Sequence, residues 1–93
     1  QGIYWIITLP TASRPTQPCL QPGVGWIIGQ KERGETTDYE HWQFCIRLDN
    51  KASLRVVRSY WPDCHAELTR SSAALAYVQK EQTRIEGTQF ERI

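Results

Sequence analysis

The stretch Tyr39 to Leu48 alternates without a break. Trp42, Phe44, Ile46 and Leu48 are apolar, and His41, Gln43, Cys45 and Arg47 fall between them. A period of two sends successive side chains to opposite faces, so the stretch reads as a β-strand with two unlike faces. Any fold the chain adopts must cover the first set with apolar material. It then presents an imidazole and a carboxamide, two residues apart, on the other face.

The remaining elements follow from that strand. Val24 to Glu32 is a second strand, in which Gly25 and Gly29 mark bulges or a close backbone approach. The polar turn Arg33 to Asp38 joins the two as a hairpin, which sets Glu32 near His41. Ile3 to Leu9 is β-branched and aromatic with no alternation, which predicts a central strand covered on both faces. Pro10, Pro15, Pro18 and Pro22 then rule out a regular helix and predict an ordered loop with a short turn. After a turn at Asp49 to Lys51, Ser53 can cap a helix to about Trp61, with Leu54, Val57 and Trp61 as its apolar stripe. Cys64 to Leu68 is a short strand. A second helix, capped by Ser71 or Ser72, runs from Ala73 to about Gln82, and Thr88 to Glu91 forms a last edge strand. The order predicts an α+β fold: a five-stranded antiparallel sheet with flanking helices.

Ninety-three residues make one domain, covering 1–93, and four Trp, four Tyr and two Phe supply large buried areas to a small core. The chain opens almost inside a strand, so a domain of a longer protein is expected. Eleven basic and ten acidic residues exclude a binder that relies on bulk positive charge. The three cysteines Cys19, Cys45 and Cys64 form no C-x-x-C pair, so neither a disulfide framework nor a cysteine zinc site is indicated. No apolar run is long enough to span a membrane, and no membrane partner is expected.

Chemistry gathers on the polar face of the first strand. The His41 nitrogen, the Gln43 oxygen and the Glu32 carboxylate make a hard, mostly oxygen ligand set that suits Mg²⁺ or Mn²⁺ and leaves room for water and substrate oxygens. Taken alone, His-x-Gln is in most proteins a solvated strand face. Tyr77 is a nucleophile candidate, and Lys80 sits three residues on, on the same helix face. A tyrosine hydroxyl is a poor nucleophile with a high pKa. A divalent ion that polarises a phosphodiester lowers that demand, and a lysine one turn away neutralises developing charge. The product would be a covalent phosphotyrosine. The plainer reading has Tyr77 packing on the sheet and Lys80 in solvent.

These residues carry a resemblance. His41-Trp42-Gln43 resembles the metal-binding motif of HUH endonucleases, and Tyr77-Val78-Gln79-Lys80 resembles their catalytic Tyr-x-x-Lys motif. Ile6-Ile7-Thr8-Leu9 is similar to the first motif of viral replication initiators. Cys64-His65-Ala66-Glu67 and the run Lys80 to Gly87 look like circovirus and nanovirus (CRESS-DNA) Rep proteins. The likeness extends from Trp5 to Gly87. It implies the HUH fold, with an RRM-like five-stranded antiparallel sheet. It also implies metal-dependent nicking and rejoining of single-stranded DNA at a stem-loop origin, with Tyr77 linked to the 5′ phosphate, to start rolling-circle replication. A helicase domain elsewhere in a longer, oligomeric chain and action in the host nucleus are part of the same implication. In this reading Tyr77 and Lys80 are catalytic and Glu32, His41 and Gln43 hold Mn²⁺ or Mg²⁺. Thr8, Lys31, Arg33, His65 and Arg70 contact DNA, as does Arg84. Pro10 departs from the family pattern, which has Asn there, and the proline-rich loop replaces at least part of a family helix. Gln30 is an alternative third ligand by position, and Glu40 is set aside because it belongs to the opposite face. Tyr4 or Trp5, whichever reaches the DNA side, can stack on a base; Trp26, Trp42 and Trp61 are assigned to the core. The competing readings are a non-catalytic RRM-like nucleic-acid module and a partner-binding domain in which Tyr77 only packs.

Overall fold

The computed structural model describes all residues, Gln1–Ile93. The elements run β1 (Gly2–Pro10), β2 (Val24–Arg33), β3 (Glu40–Ala52), α1 (Leu54–Tyr60), β4 (His65–Leu68), α2 (Ala73–Tyr77) and β5 (Phe90–Arg92). The strands form one sheet in the order β4-β1-β3-β2-β5, with every neighbouring pair antiparallel. This is the α+β sheet that the element order predicts. No helix is long and apolar enough to cross a membrane.

The alternation in β3 has the expected consequence. Trp42, Phe44, Ile46 and Leu48 enter a core with Trp5, Ile7, Leu9, Ile27 and Phe90, closed by Val57 and Trp61 from the α1 side. Phe44 meets the edge of Trp61 with ring centroids 5.0 Å apart. Trp42 meets Phe90 edge-on at 5.8 Å, and its indole N–H donates to the Arg14 carbonyl at 2.9 Å, which ties the proline-rich loop to the sheet. That loop is irregular beyond a turn closed on the Pro10 carbonyl.

Several expectations are corrected. β1 is not covered on both faces: Trp5, Ile7 and Leu9 are buried, Ile6 and Thr8 partly so, and Tyr4 is exposed. The polar face of β3 is not open either, because α2 lies over it. Cys45, Ala74 and Val78 form a second small cluster there, with Ile6, Trp26 and Ile28 against it. Trp26 therefore belongs to that second face and not to the main core. β3 continues through Asp49–Lys51 to pair Ala52 with Gly2 where a turn was expected. Leu54 stands exposed, so the α1 stripe reduces to Val57 and Trp61, and Ser53 makes no side-chain cap bond. At α2, Ser72 also makes none, while the Ser71 hydroxyl accepts from the Ala73 N–H at 3.1 Å. The last strand begins at Phe90, two residues later than expected.

α2 is the largest departure, ending at Tyr77 instead of near Gln82. The carbonyls that would continue it have other partners: that of Leu75 accepts from the Gln79 side-chain amide at 2.7 Å, and that of Ala76 accepts from the Gln79 backbone N–H in a tighter i−3 bond. The segment beyond is then held elsewhere. The Gln30 side chain donates to the Lys80 carbonyl at 2.7 Å, and the Arg84 guanidinium to that of Gln79. Residues 83–85 then run beside β2, through Arg33 N–H to Thr83 carbonyl and Ile85 N–H to Lys31 carbonyl.

Candidate active site

The register of three central strands builds the site. Thr8, Gln43 and Gln30 stand side by side, and Pro10, His41 and Glu32 form the next row on the same face. Glu32 is buried, with 1% of its surface exposed. Its Oε1 lies 3.5 Å from His41 Nε2 and 3.8 Å from Lys80 Nζ, and accepts from the Thr83 hydroxyl at 3.1 Å. Its Oε2 accepts from the Gln30 amide at 2.8 Å. Burial pushes the Glu32 carboxyl upward, but His41, Gln30, the Lys80 charge and Thr83 outweigh it, and the net shift is below the ordinary 4.5. The carboxylate is held ionised. Tyr39 stacks on His41, centroids 5.0 Å apart and planes 20° from parallel, and His41 Nδ1 is buried without a partner.

Gln43 is fixed by its own amide. Its Nε2 donates to the Ile7 carbonyl at 3.1 Å, which leaves Oε1 as the acceptor facing the site, where the Thr8 hydroxyl donates to it at 3.2 Å. Gln43 and Thr8 line a cavity of about 400 Å³ with Ile6, His65, Glu67 and Tyr77. Tyr77 is 47% exposed at the end of α2. Lys80 Nζ sits 4.4 Å from the centre of its ring. Lys80 thus touches Tyr77 on one side and Glu32 on the other, although it lies beyond the helix that was expected to carry both.

Comparison with known proteins adds an independent line. The chain is 30% identical over 87 residues to the master replication protein of banana bunchy top virus. It is 33% identical over 89 residues to the master replication proteins of milk vetch dwarf virus and faba bean necrotic yellows virus. The matches take in 91–94% of this chain. The chain belongs to the nanovirus-like Rep family. It spans about 30% of the length of those relatives. No family model matches the chain, and no solved structure does.

Within this Rep domain the other sequence-picked residues separate. Lys31 and Arg33 do not flank the Glu32 site. The alternation that turns Glu32 toward His41 turns them to the opposite face, where both meet Glu40, at 3.7 and 3.1 Å. Lys31 also lies over the Trp42 ring at 5.0 Å. Thr8 and His65 line the Tyr77 cavity, and His65 Nε2 is 3.0 Å from Glu67 Oε1. Arg70 lies farther along the sheet face, beside Tyr4. Arg84 is engaged internally, its Nε donating to Gln30 Oε1 at 2.9 Å. Gln30 supports Glu32 and Lys80 instead of standing in for Glu32. Thr83 and Tyr39 were not anticipated. Tyr39 is legible as the residue two before His41 on the same face; nothing near Thr83 signals its contact.

No group of three His, Cys, Asp or Glu side chains converges in the chain. A divalent ion at this place would therefore need the Gln43 carboxamide as its third donor. His41 Nε2 and Glu32 Oε1 are two donors of the kind such an ion takes. The 3.5 Å between His41 Nε2 and Glu32 Oε1 is long for a hydrogen bond and close to the spacing of adjacent ligands, about 3 Å, around an octahedral hard cation. The cationic Lys80 and the Thr83 hydroxyl gather at that same carboxylate oxygen.

Proposed function

We propose that this domain nicks and rejoins single-stranded DNA at a stem-loop replication origin, with Tyr77 as the nucleophile. The observation that carries the reading is the convergence of Tyr77 and Gln43 on one cavity, with Lys80 bridging Tyr77 to the buried Glu32. The relatives' name, master replication protein, supports a role in starting replication.

In the nicking step Tyr77 Oη bonds to the scissile phosphorus and the bond from phosphorus to the 3′ oxygen breaks. The tyrosine proton leaves to solvent, and the departing 3′ oxygen takes up a proton to become the primer hydroxyl. The reverse step rejoins the ends and restores Tyr77. Lys80 places positive charge beside the ring whose oxygen is reacting. Glu32, His41 and Gln43 would hold Mn²⁺ or Mg²⁺, which when bound supplies Lewis-acid polarisation of the phosphodiester. Gln30 and Thr83 fix the Glu32 carboxylate. Tyr39 fixes the plane of His41, and Thr8 with the Ile7 carbonyl fixes the Gln43 amide. Ligands held this way reorganise little when the reaction occurs. The same reading has the domain working in the host nucleus, in a longer, oligomeric chain that also carries a helicase.

The test is a covalent adduct. The domain is incubated with an origin-like single strand labelled on the 5′-phosphate side and Mn²⁺, then run on a denaturing gel. A labelled protein band is expected from the native sequence and none from Tyr77→Phe. A band of undiminished intensity from Tyr77→Phe rules out Tyr77 as the nucleophile.

A further inference from the structure

A second cavity, of about 320 Å³, opens on the same sheet face at the other end of α2. Tyr4 and Trp26 form its walls with Leu75, Cys45 makes its floor, and Arg70 and Ser71 stand at its rim. The rings of Tyr4 and Trp26 are 6.3 Å apart and tilted by 49°, and Tyr4 is 39% exposed. Arg47 lies over the Tyr4 ring at 6.0 Å. Of the six ion pairs in the domain, none involves Arg47 or Arg70. An open aromatic wall with two uncompensated guanidinium groups is what stacking on a base and neutralising its phosphates require.

The position argues for the same ligand as the Tyr77 cavity. Thr8, Ile6 and Tyr4 follow one another on one face of β1, Thr8 lining the first cavity and Tyr4 the second. Four strand residues span about 13 Å, well inside the footprint of a strand several nucleotides long.

We infer that the Tyr4–Trp26 cavity receives one unpaired base of the single strand whose scissile phosphate lies at Tyr77, with Arg47 and Arg70 on the adjoining phosphates. The inference rests on the single-strand reading of the Tyr77 site, but not on cleavage. Stacking of a base here is sequence-tolerant, so the cavity sets how the strand lies across the sheet more than which base is read.

Binding without a divalent ion tests it. A fluorescein-labelled single strand, selected from a random pool on Tyr77→Phe protein, is scanned with one abasic position at a time, and affinity is read by anisotropy. One position is expected to lose about tenfold or more in affinity on Tyr77→Phe. The same abasic strand loses nothing further on Tyr4→Ala/Tyr77→Phe, while Tyr4→Phe/Tyr77→Phe restores the sensitivity. Leu75→Trp, which fills the cavity from an exposed position, gives the same loss without touching the sheet, so a misfolded Tyr4→Ala protein does not decide the matter. The inference is overturned if no abasic position depends on Tyr4 and Leu75→Trp binds normally, or if the pool yields no binding strand. Adduct formation by the native sequence alongside the first result overturns the cavity alone. Failure of adduct formation with the Tyr4-dependent position present overturns the nicking chemistry alone.

Discussion

Trp42 and Gln43 are neighbours in sequence and opposites in role, and replacing each by alanine separates the core face of β3 from its site face. Trp42 is 4% exposed, packs edge-on against Phe90, carries Lys31 over its ring and donates from its indole to Arg14. Truncating a buried indole costs about 3–5 kcal/mol, and the lost hydrogen bond adds about 1 kcal/mol. Gln43 loses no comparable volume. Its removal frees the Ile7 carbonyl and the Thr8 hydroxyl from one hydrogen bond each, a loss of about 1–2 kcal/mol. A domain of this size has about 5–15 kcal/mol in all, so Trp42→Ala removes about a quarter or more of it. Urea denaturation followed by far-ultraviolet circular dichroism reads both. With a slope near 1.5 kcal/mol/M, Trp42→Ala lowers the midpoint by about 2 M or more and Gln43→Ala by about 1 M or less. Adduct formation moves the other way: Gln43→Ala loses it while folded. Trp42→Ala loses it only to the extent that the chain unfolds. Equal midpoints, or a Trp42→Ala protein that stays as stable as the native chain but cannot form the adduct, would refute the assignment of faces.

Further outcomes follow from single contacts. Gly29→Ala places a methyl against the Gln43 carbonyl oxygen and within 2.6 Å of Phe44 Cα, both in β3; a loss of about 1–3 kcal/mol or more, seen as a lower urea midpoint, is expected, together with weakened adduct formation. Gly25→Ala meets first the end of the Asp49 side chain at 3.0 Å and should be milder by the same measurement. Burial pushes the Cys45 thiol up to about 11 and raises that of Cys64, while Cys19 is exposed. A maleimide at pH near 8 should therefore label Cys19 alone in the folded protein and all three in urea. Because the Glu32 carboxyl is depressed when folded, its contribution is present above the unfolded value of about 4.5 and is lost as pH falls through the folded value. Thermal melts should lose stability in that acid range, and Glu32→Gln should flatten the loss.

Much of the site was legible because it depends on register. The alternation in β3 and the short polar turn after β2 suffice to bring Glu32 opposite His41, since a hairpin fixes pairing once its turn is set. The same period-two rule, applied to β2, would have sent Lys31 and Arg33 to the far face. Proximity in sequence to Glu32 misled there. β1 misled for a different reason. Ile6 is apolar like its neighbours, but it meets the small cluster under α2 and not the main core, and the sequence does not distinguish the two. The end of α2 could not be read from propensity, which favours a longer helix. The Gln79 side chain takes the Leu75 carbonyl that the next helical N–H would need, and the segment beyond is held by Arg84 and by Gln30, fifty residues before Lys80.

That early ending of α2 matters for the chemistry. In a continuous helix, Lys80 would stand one turn beyond Tyr77 and simply share its face. Here Gln30 holds the Lys80 backbone while its own amide also holds Glu32, so one buried carboxamide sets the spacing between the lysine and the carboxylate. Gln30 in turn is placed by its pairing with Gln43 on β3. The whole constellation of Glu32, His41, Gln43, Lys80 and Tyr77 is therefore referred to the β2–β3 register. A slip of one residue would exchange every inward and outward side chain of the pair. It would drive Trp42, Phe44 and Ile46 toward α2 and bury His41 and Gln43 in the main core. The main core, which takes no part in the reaction, is thus what holds the site geometry in place, and substitutions there should degrade the site in proportion to how far they loosen that register.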